Sequence, residues 1–462
     1  MSTKALTGHT LSDAINVGGL NWRHWLFFGL LFFLFVTDGM DATIVSHIFP
    51  SLIAEWGLSV GGGISIVVTG GFIFMGIGAL ISGRLSDALG RKVVLIAAGL
   101  LFAIGTGLGG TSLDFNMFMT WRFLACLGVG AVLPTGVALL SDLIPGKQRA
   151  AMVAASYAGL GIGTSLGAVL AGFVLPTLGW QTLMYLGGIL PLIFIGLIWL
   201  IIPESPTLLA HKGHHGRARH ALRRINPQIN VENIDLVGAE ISSHSTRGMK
   251  QLLTATFRRT TIALWLFAFF SLGTQMVIVQ YLPLLLQQPS PGMDTAQSST
   301  IFALYGFASV LSMLLLGSVL VKLPMYRTVA AAITLAALTA ILVSVTSDAS
   351  FGTLLITLTA AGFFIPAAVG PTRNMLTVEA YPADLKGTGL GVMELYARLG
   401  SAGLGAAGGV VAGAGIGLGG FFLVLLVPLG ILGGSLGVLK RSQQRKTKQP
   451  RAEEKPLVNS QT

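Results

Sequence analysis

Charge is scarce in this chain. Only 10% of its 462 residues are Asp, Glu, Lys or Arg, and 53% are hydrophobic, whereas a soluble globular domain carries about 25% charged residues. With a mean hydropathy of +0.76, the composition excludes an ordinary water-soluble domain and places the chain in a bilayer. Cysteine is almost absent. Cys126 stands alone, which rules out an internal disulfide or a Cys-based metal cluster, and its position inside an apolar run assigns it to packing. No Gly-Lys-Ser/Thr ending of a phosphate loop occurs among the 61 glycines, which excludes a nucleotide-driven pump on this chain alone. His47 and the scattered tyrosines form no nucleophile–base or metal constellation, so no enzyme is expected. The first apolar run is too long for a cleaved leader and lacks a small-residue cleavage site after it.

Long apolar runs are what the chain has instead. Twelve lie at roughly 25–49, 64–82, 93–110, 116–140, 151–175, 183–202, 262–286, 298–320, 328–346, 351–373, 387–411 and 418–439, each near the ~20 residues that a spanning helix needs. The loops between them alternate in charge. Arg84, Arg91 and Lys92, then Lys147 and Arg149, the cluster from Lys212 to Arg259, Lys322 and Arg327, and Lys386 all fall in loops on one side, whereas the alternate connections contain no Lys or Arg. By the positive-inside rule both termini and the long central loop are cytoplasmic, and a multi-pass protein of the bacterial inner (plasma) membrane is expected. The net charge of +11 reflects that rule and a basic tail, 440–462, facing lipid headgroups or solvent. It gives no reason to expect nucleic acid as a partner.

The chain also repeats itself. Pro134-Thr135 recurs as Pro371-Thr372, and Pro145 to Arg149 recurs with the same offset as Pro382 to Lys386. The expected fold is therefore an all-α membrane protein with twelve transmembrane helices in two pseudo-symmetric six-helix bundles. Its divisions are a cytoplasmic N-terminus at 1–24, bundles at 25–202 and 262–439, a cytoplasmic linker at 203–261 and the tail at 440–462. His214, His215 and the arginines around them in the linker lack ligand spacing, so the linker reads as a solvated amphipathic connector.

Charges inside the runs point to chemistry. Asp38 and Asp41 lie one helical turn apart within the first run, on one face. An ionised Asp near a helix centre costs on the order of 2.5–3.5 kcal/mol to insert, so such residues persist where they pair, protonate or line a polar path. Arg122, at a comparable depth in the fourth run, completes a candidate proton-coupling cluster with them. A purely structural ion pair is the competing reading. Arg398 lies near the middle of the eleventh run with Glu394 one turn before it. Either the two neutralise each other, or Arg398 exchanges Glu394 for a substrate carboxylate. Tyr396 is an aromatic candidate beside them, and Arg373 reads as a snorkelling cation.

The stretch Gly83-Arg84-Leu85-Ser86-Asp87-Ala88-Leu89-Gly90-Arg91-Lys92 resembles the signature loop of the major facilitator superfamily between helices two and three. The resemblance implies gating roles for Gly83, Asp87, Gly90, Arg91 and Lys92, through charge pairs and helix-end contacts that lock the two halves. Asp38-Gly39-Met40-Asp41 with Pro50, Arg122-Phe123-Leu124 leading to Gly128-Val129-Gly130 and Pro134, Pro203-Glu204-Ser205-Pro206, and Arg398-Leu399-Gly400-Ser401 narrow it to the aromatic acid/proton symporters. That resemblance implies import of a small aromatic or similar organic carboxylate with protons by alternating access. The proton gradient would supply the energy, with no cofactor, and the protein would act as a monomer among membrane lipids. A proton-antiport exporter of metabolites or drugs, or a non-transporting sensor signalling through the linker, are the alternatives on the same fold.

Overall fold

The computed structural model describes residues 11–16, 19–227, 251–254, 257–370 and 372–448. The expected N-terminal segment before Leu11, the linker stretch 228–250, Pro371 of the internal repeat and the tail beyond Lys448 lie outside the described residues. A short α1 (Leu11–Asn16) precedes α2 (Trp22–Trp56). Asn21 starts α2: its side chain accepts from the Arg23 and His24 amides, and its own amide donates to His24 Nδ1 at 3.0 Å, so orphan donors at the first turn are satisfied. Gly57 ends the helix with φ 63, a conformation that glycine adopts without a Cβ penalty.

A π-helical turn (Val60–Ile64) leads into α3 (Ser65–Leu89), followed by α4 (Arg91–Gly109), α5 (Phe115–Leu143) and α6 (Gly146–Ile201). Two short helices, α7 (Pro206–His211) and α8 (His215–Ile225), open the linker. The second half comprises α9 (Arg258–Leu286), α10 (Thr295–Lys322), α11 (Met325–Val345), α12 (Phe351–Val369), α13 (Thr372–Ala380), α14 (Ala383–Gly413), α15 (Gly417–Val424) and α16 (Leu426–Lys448).

Among the described residues ten stretches are long and apolar enough to cross a membrane. One of these, α6, is two crossings joined at Gly179, whose backbone leaves the helical region (φ 76, ψ 173). The 31-residue α14 is a further crossing, made more polar by Lys386, Glu394 and Arg398. Together they make the twelve crossings expected from the sequence. The helices outrun the apolar segments: α2 continues through Pro50 to Trp56, because backbone hydrogen bonding persists past the hydrocarbon edge. The reverse holds in the tenth segment, which breaks after Val369 and resumes as α13.

Each half has the same internal packing. In the first, α2 packs on α6, α3 on α5, and α4 on both α5 and α6; in the second, α9 packs on α14, α10 on α12, and α11 on α12, α15 and α16. Glycines allow the closest of these approaches. A Cβ at Gly39 would fall on the Leu160 carbonyl and one at Gly163 on the Val36 carbonyl, bringing α2 and α6 into backbone contact; Gly400 bears the same relation to Phe269, joining α14 and α9. Small residues at such crossings drive helix association in lipid.

The halves meet through α2 and α9, α3 and α14, and α6 and α10. Close contacts gather at the end where α2 finishes. His47 is edge-on to Phe302 at 5.3 Å, Ser65 Oγ donates to the Ala406 carbonyl at 3.4 Å, and Gly61 lies against Gly413, as Gly172 does against Ser299. Nearer the opposite end the space between the halves is open. Tyr157 on α6 is 45% exposed and the Glu394 side chain on α14 is 39% exposed, although each lies within electrostatic reach of the other.

Candidate functional site

Three groups of polar residues occupy the expected site positions. The first is in the first half. Arg122 Nη1 on α5 donates to Asp41 Oδ2 at 2.6 Å, and Thr106 Oγ1 on α4 donates to Asp41 Oδ1 at 2.8 Å. Both partners of the ion pair are buried, and both oxygens of Asp41 are satisfied, as a buried charge requires. Asp38 is different. It is also buried, yet among the described residues it makes no hydrogen bond or ion pair. The charges that act on it are Asp41, Arg398 from the other half, and Arg122.

The sequence treats the two aspartates alike; the fold separates them. One turn of helix points Asp41 between α4 and α5 and leaves Asp38 nearer the space between the halves. Thr106 escaped the sequence reading, because a lone threonine in an apolar run carries no mark of its partner.

The second group is in the second half. Glu394 lies between two arginines, with Arg373 Nε 3.6 Å from its Oε2 and Arg398 Nε 4.0 Å from its Oε1. Both separations exceed hydrogen-bond length. Arg373 Nη1 also donates to the Gly370 carbonyl at 3.2 Å, at the break between α12 and α13. Arg373 therefore does not merely snorkel to the membrane edge: the break turns it toward Glu394. Two cations share one loosely held carboxylate, leaving an excess positive charge. Tyr396 stacks on Trp265 with ring centroids 4.3 Å apart and planes at 10°. Tyr157 reaches the same place from the first half, where Glu394, Arg373 and Arg398 act on it.

The third group is the signature loop. Gly90 has φ 125, and a Cβ there would collide with the Glu204 carboxylate, so this glycine provides both a turn and a close approach. Arg91 pairs with Asp142 at 2.5 Å and donates to the Ala138 carbonyl at 2.9 Å. The Lys92 amide donates to Glu204 Oε1 at 3.0 Å, and its ammonium to the Trp199 carbonyl at 2.7 Å. Ser205 Oγ donates to Asp142 and joins the two arrangements. Asp87 is exposed and makes no hydrogen bond or ion pair among the described residues, and Gly83 faces open space.

Arg91 therefore pairs with Asp142 rather than with Asp87, and Lys92 holds Glu204 through its backbone amide. All these contacts are within the first half, because the halves are apart at this end. Asp142 was not singled out in the sequence; its signal was an acidic residue three positions before the Pro145 that leads into α6. Glu204 and Ser205 were visible only as part of a Pro-Glu-Ser-Pro motif.

Known proteins are similar to this chain in sequence and fold. A family model described as Major Facilitator Superfamily matches residues 31–406. A gallate transporter of Pseudomonas putida is 28% identical over 405 residues, covering 87% of this chain and 89% of its own. The 4-hydroxybenzoate transporter PcaK of Acinetobacter baylyi is 29% identical over 394 residues, 84% of each chain. A structure of the xylose transporter XylE from E. coli in an inward open conformation superposes with a TM-score of 0.69 at 17% identity, covering 94% of this chain and 98% of that one; at that identity it speaks for the fold alone. The matched region runs from the first bundle through the linker into α14 of the second, and this chain is a multi-pass transport protein of the major facilitator superfamily rather than an enzyme.

Proposed function

We propose that the protein imports an aromatic carboxylate together with protons across the inner membrane, with its termini in the cytoplasm. One observation carries this reading: Arg373 and Arg398 share a single, loosely held carboxylate on one half, and Arg398 acts on the unpartnered Asp38 of the other. The gallate and 4-hydroxybenzoate transporters among its relatives support an aromatic acid as the cargo.

Glu394 serves as the placeholder. A substrate carboxylate entering from outside displaces it and takes the planar guanidinium of Arg398 or Arg373 in bidentate fashion. The substrate ring then lies near Tyr157 and the Trp265–Tyr396 stack. Asp38 carries the proton. It can gain and lose one without breaking an ion pair, whereas Asp41 would have to leave Arg122 and Thr106. When Asp38 is neutral, Arg398 has one anion fewer to face, and a substrate carboxylate replaces that charge. Proton and acid thereby favour each other.

Energetics require such a link. Moving a monoanion into an inside-negative cell is opposed by about 2.3 kcal/mol per 100 mV; one proton cancels that charge and a second makes uptake electrically favourable. The present state is closed at the outer end and open toward the cytoplasm, on the side of the basic loops. In the complementary state that side closes, and Asp87, unpartnered here, gains a contact with the second half.

The test is uptake of labelled 4-hydroxybenzoate and gallate into proteoliposomes under imposed proton and potential gradients. Accumulation that requires an inward proton gradient supports the reading. Accumulation driven by an outward one indicates an antiport exporter, and saturable binding without flux indicates a sensor.

A further inference from the structure

On the cytoplasmic face of the first half, a cavity of about 550 Å³ lies between α8, the start of α4 and the end of α6. Its construction begins with the sequence of α8. Ala218, Ala221, Leu222 and Ile225 recur at helical spacing and are buried; the first three pack with Leu11, Ile15 and Leu209 and Ile225 joins the core of the first bundle, while basic residues occupy the remaining faces.

Four polar ties fix the segment. Asn21 Nδ2 donates to the Ile225 carbonyl at 2.9 Å and Arg23 Nη1 to the Arg224 carbonyl at 2.7 Å. Arg224 Nη2 donates to the Leu200 and Ile201 carbonyls at 2.9 Å, and Lys212 Nζ to the Ala88 carbonyl at 2.6 Å. These ties cap the last carbonyls of three helices with cations, and they fasten the segment to the ends of α3 and α6.

The wall is of two kinds. Val93 and Trp199 face outward, 52% and 62% exposed, and together with the exposed Trp22 and Trp25 they mark the level at which tryptophans sit in a membrane interface. Lys92, Arg217, His220 and Arg224 supply nitrogen donors. Glu204 is the anion of this lining, and its oxygens are occupied by the Lys92 and Ser205 amides. Arg217 and His220 make no hydrogen bond or ion pair among the described residues. A cavity with an unpaired guanidinium and imidazole on one side and lipid-facing apolar side chains on the other suits a phosphate group that carries acyl chains.

We propose that this cavity binds the phosphate headgroup of an anionic phospholipid, with Arg217 and His220 on the phosphate and an acyl chain along Val93 and Trp199. Bound there, the lipid joins α8 to Lys92 at the start of α4, so leaflet composition reaches the signature loop. A free phosphate compound offers the same headgroup chemistry but makes no use of the apolar wall. The inference rests on the membrane fold and not on the proposed substrate.

The experiment uses the full-length protein in detergent, titrated with phosphatidylglycerol, phosphatidylcholine or inorganic phosphate. Lipid retention is read by native mass spectrometry and stability by thermal unfolding. Wild type should retain phosphatidylglycerol in preference to phosphatidylcholine and unfold at a higher temperature with it. Arg217→Gln should bind roughly fivefold more weakly, as loss of one interfacial cation implies, and Arg217→Glu more weakly still. Neither should change the lipid-free unfolding temperature, since Arg217 is exposed and makes no hydrogen bond or ion pair among the described residues. Equal retention of the two lipids, or unchanged phosphatidylglycerol binding by Arg217→Glu, would overturn the proposal. Full competition by inorganic phosphate at concentrations that match the lipid would also overturn it, in favour of a soluble phosphate site.

Discussion

Asp38 and Asp41 are one helical turn apart on α2, but their surroundings give them different work. Asp41 receives hydrogen bonds from Arg122 and Thr106, so Asp41→Asn leaves a buried guanidinium without its charge partner. Its cost should be about 3–5 kcal/mol, read as a large drop in the unfolding temperature of the purified protein. Asp38→Asn should cost little by the same measurement. Equal stability losses would mean that the ion pair does not distinguish them.

The arginines of α13 and α14 differ again from what their spacing suggests. Glu394→Gln removes the competitor for both cations and should tighten acid binding several-fold. Arg398→Leu should weaken it by at least about tenfold, since a hydrogen bond to a charged group contributes roughly 1.5–3 kcal/mol. The double variant should fold normally and still bind weakly; normal affinity would remove Arg398 from the substrate contacts. Residue types in apolar runs made these candidates legible in the sequence. The contacts of Thr106 with Asp41 and of Arg373 with Glu394 were not, because they form only through helix packing and through the break at Gly370.

Helices carry the second scale of the account. The glycines of α2 and α6 are fixed by backbone contact, and those of the signature loop are not equivalent to them. Gly39→Ala would place a Cβ on the Leu160 carbonyl and should cost about 1–3 kcal/mol as α2 and α6 are pushed apart. Gly83→Ala meets nothing within 4 Å and should leave thermal stability unchanged. If Gly39→Ala were as stable as wild type, the close α2–α6 approach would be wrong. Hydropathy made all twelve crossings legible, with ends that mostly stop short of the true helix termini and in the tenth segment run past the break after Val369. It could not reveal that the fifth and sixth crossings join at a single kinked residue, because Pro176 and Gly179 read as an ordinary loop.

At the scale of the whole molecule, two similar bundles touch near one end and part at the other. The halves should therefore be separable by trapping. With the native Cys126 replaced by serine, cysteines at Gly61 and Gly413, whose backbones meet here, should cross-link readily and stop net flux, and reduction should restore it. Failure to cross-link in any condition would contradict closure at this end. The repeat of Pro134-Thr135 and Pro145 to Arg149 in the second half made the two-bundle plan legible. Which end is closed was not, since it depends on contacts between helices far apart in the chain.

The central claim is that Asp38 couples proton movement to carboxylate uptake through Arg398. Its most direct test compares wild type with Asp38→Asn in proteoliposomes, measuring both uphill uptake of labelled 4-hydroxybenzoate under an inward proton gradient and gradient-free exchange of that acid across the membrane. The account predicts that the variant loses uphill accumulation while retaining exchange, because its binding site and both gates remain intact. Wild-type accumulation by Asp38→Asn would contradict it.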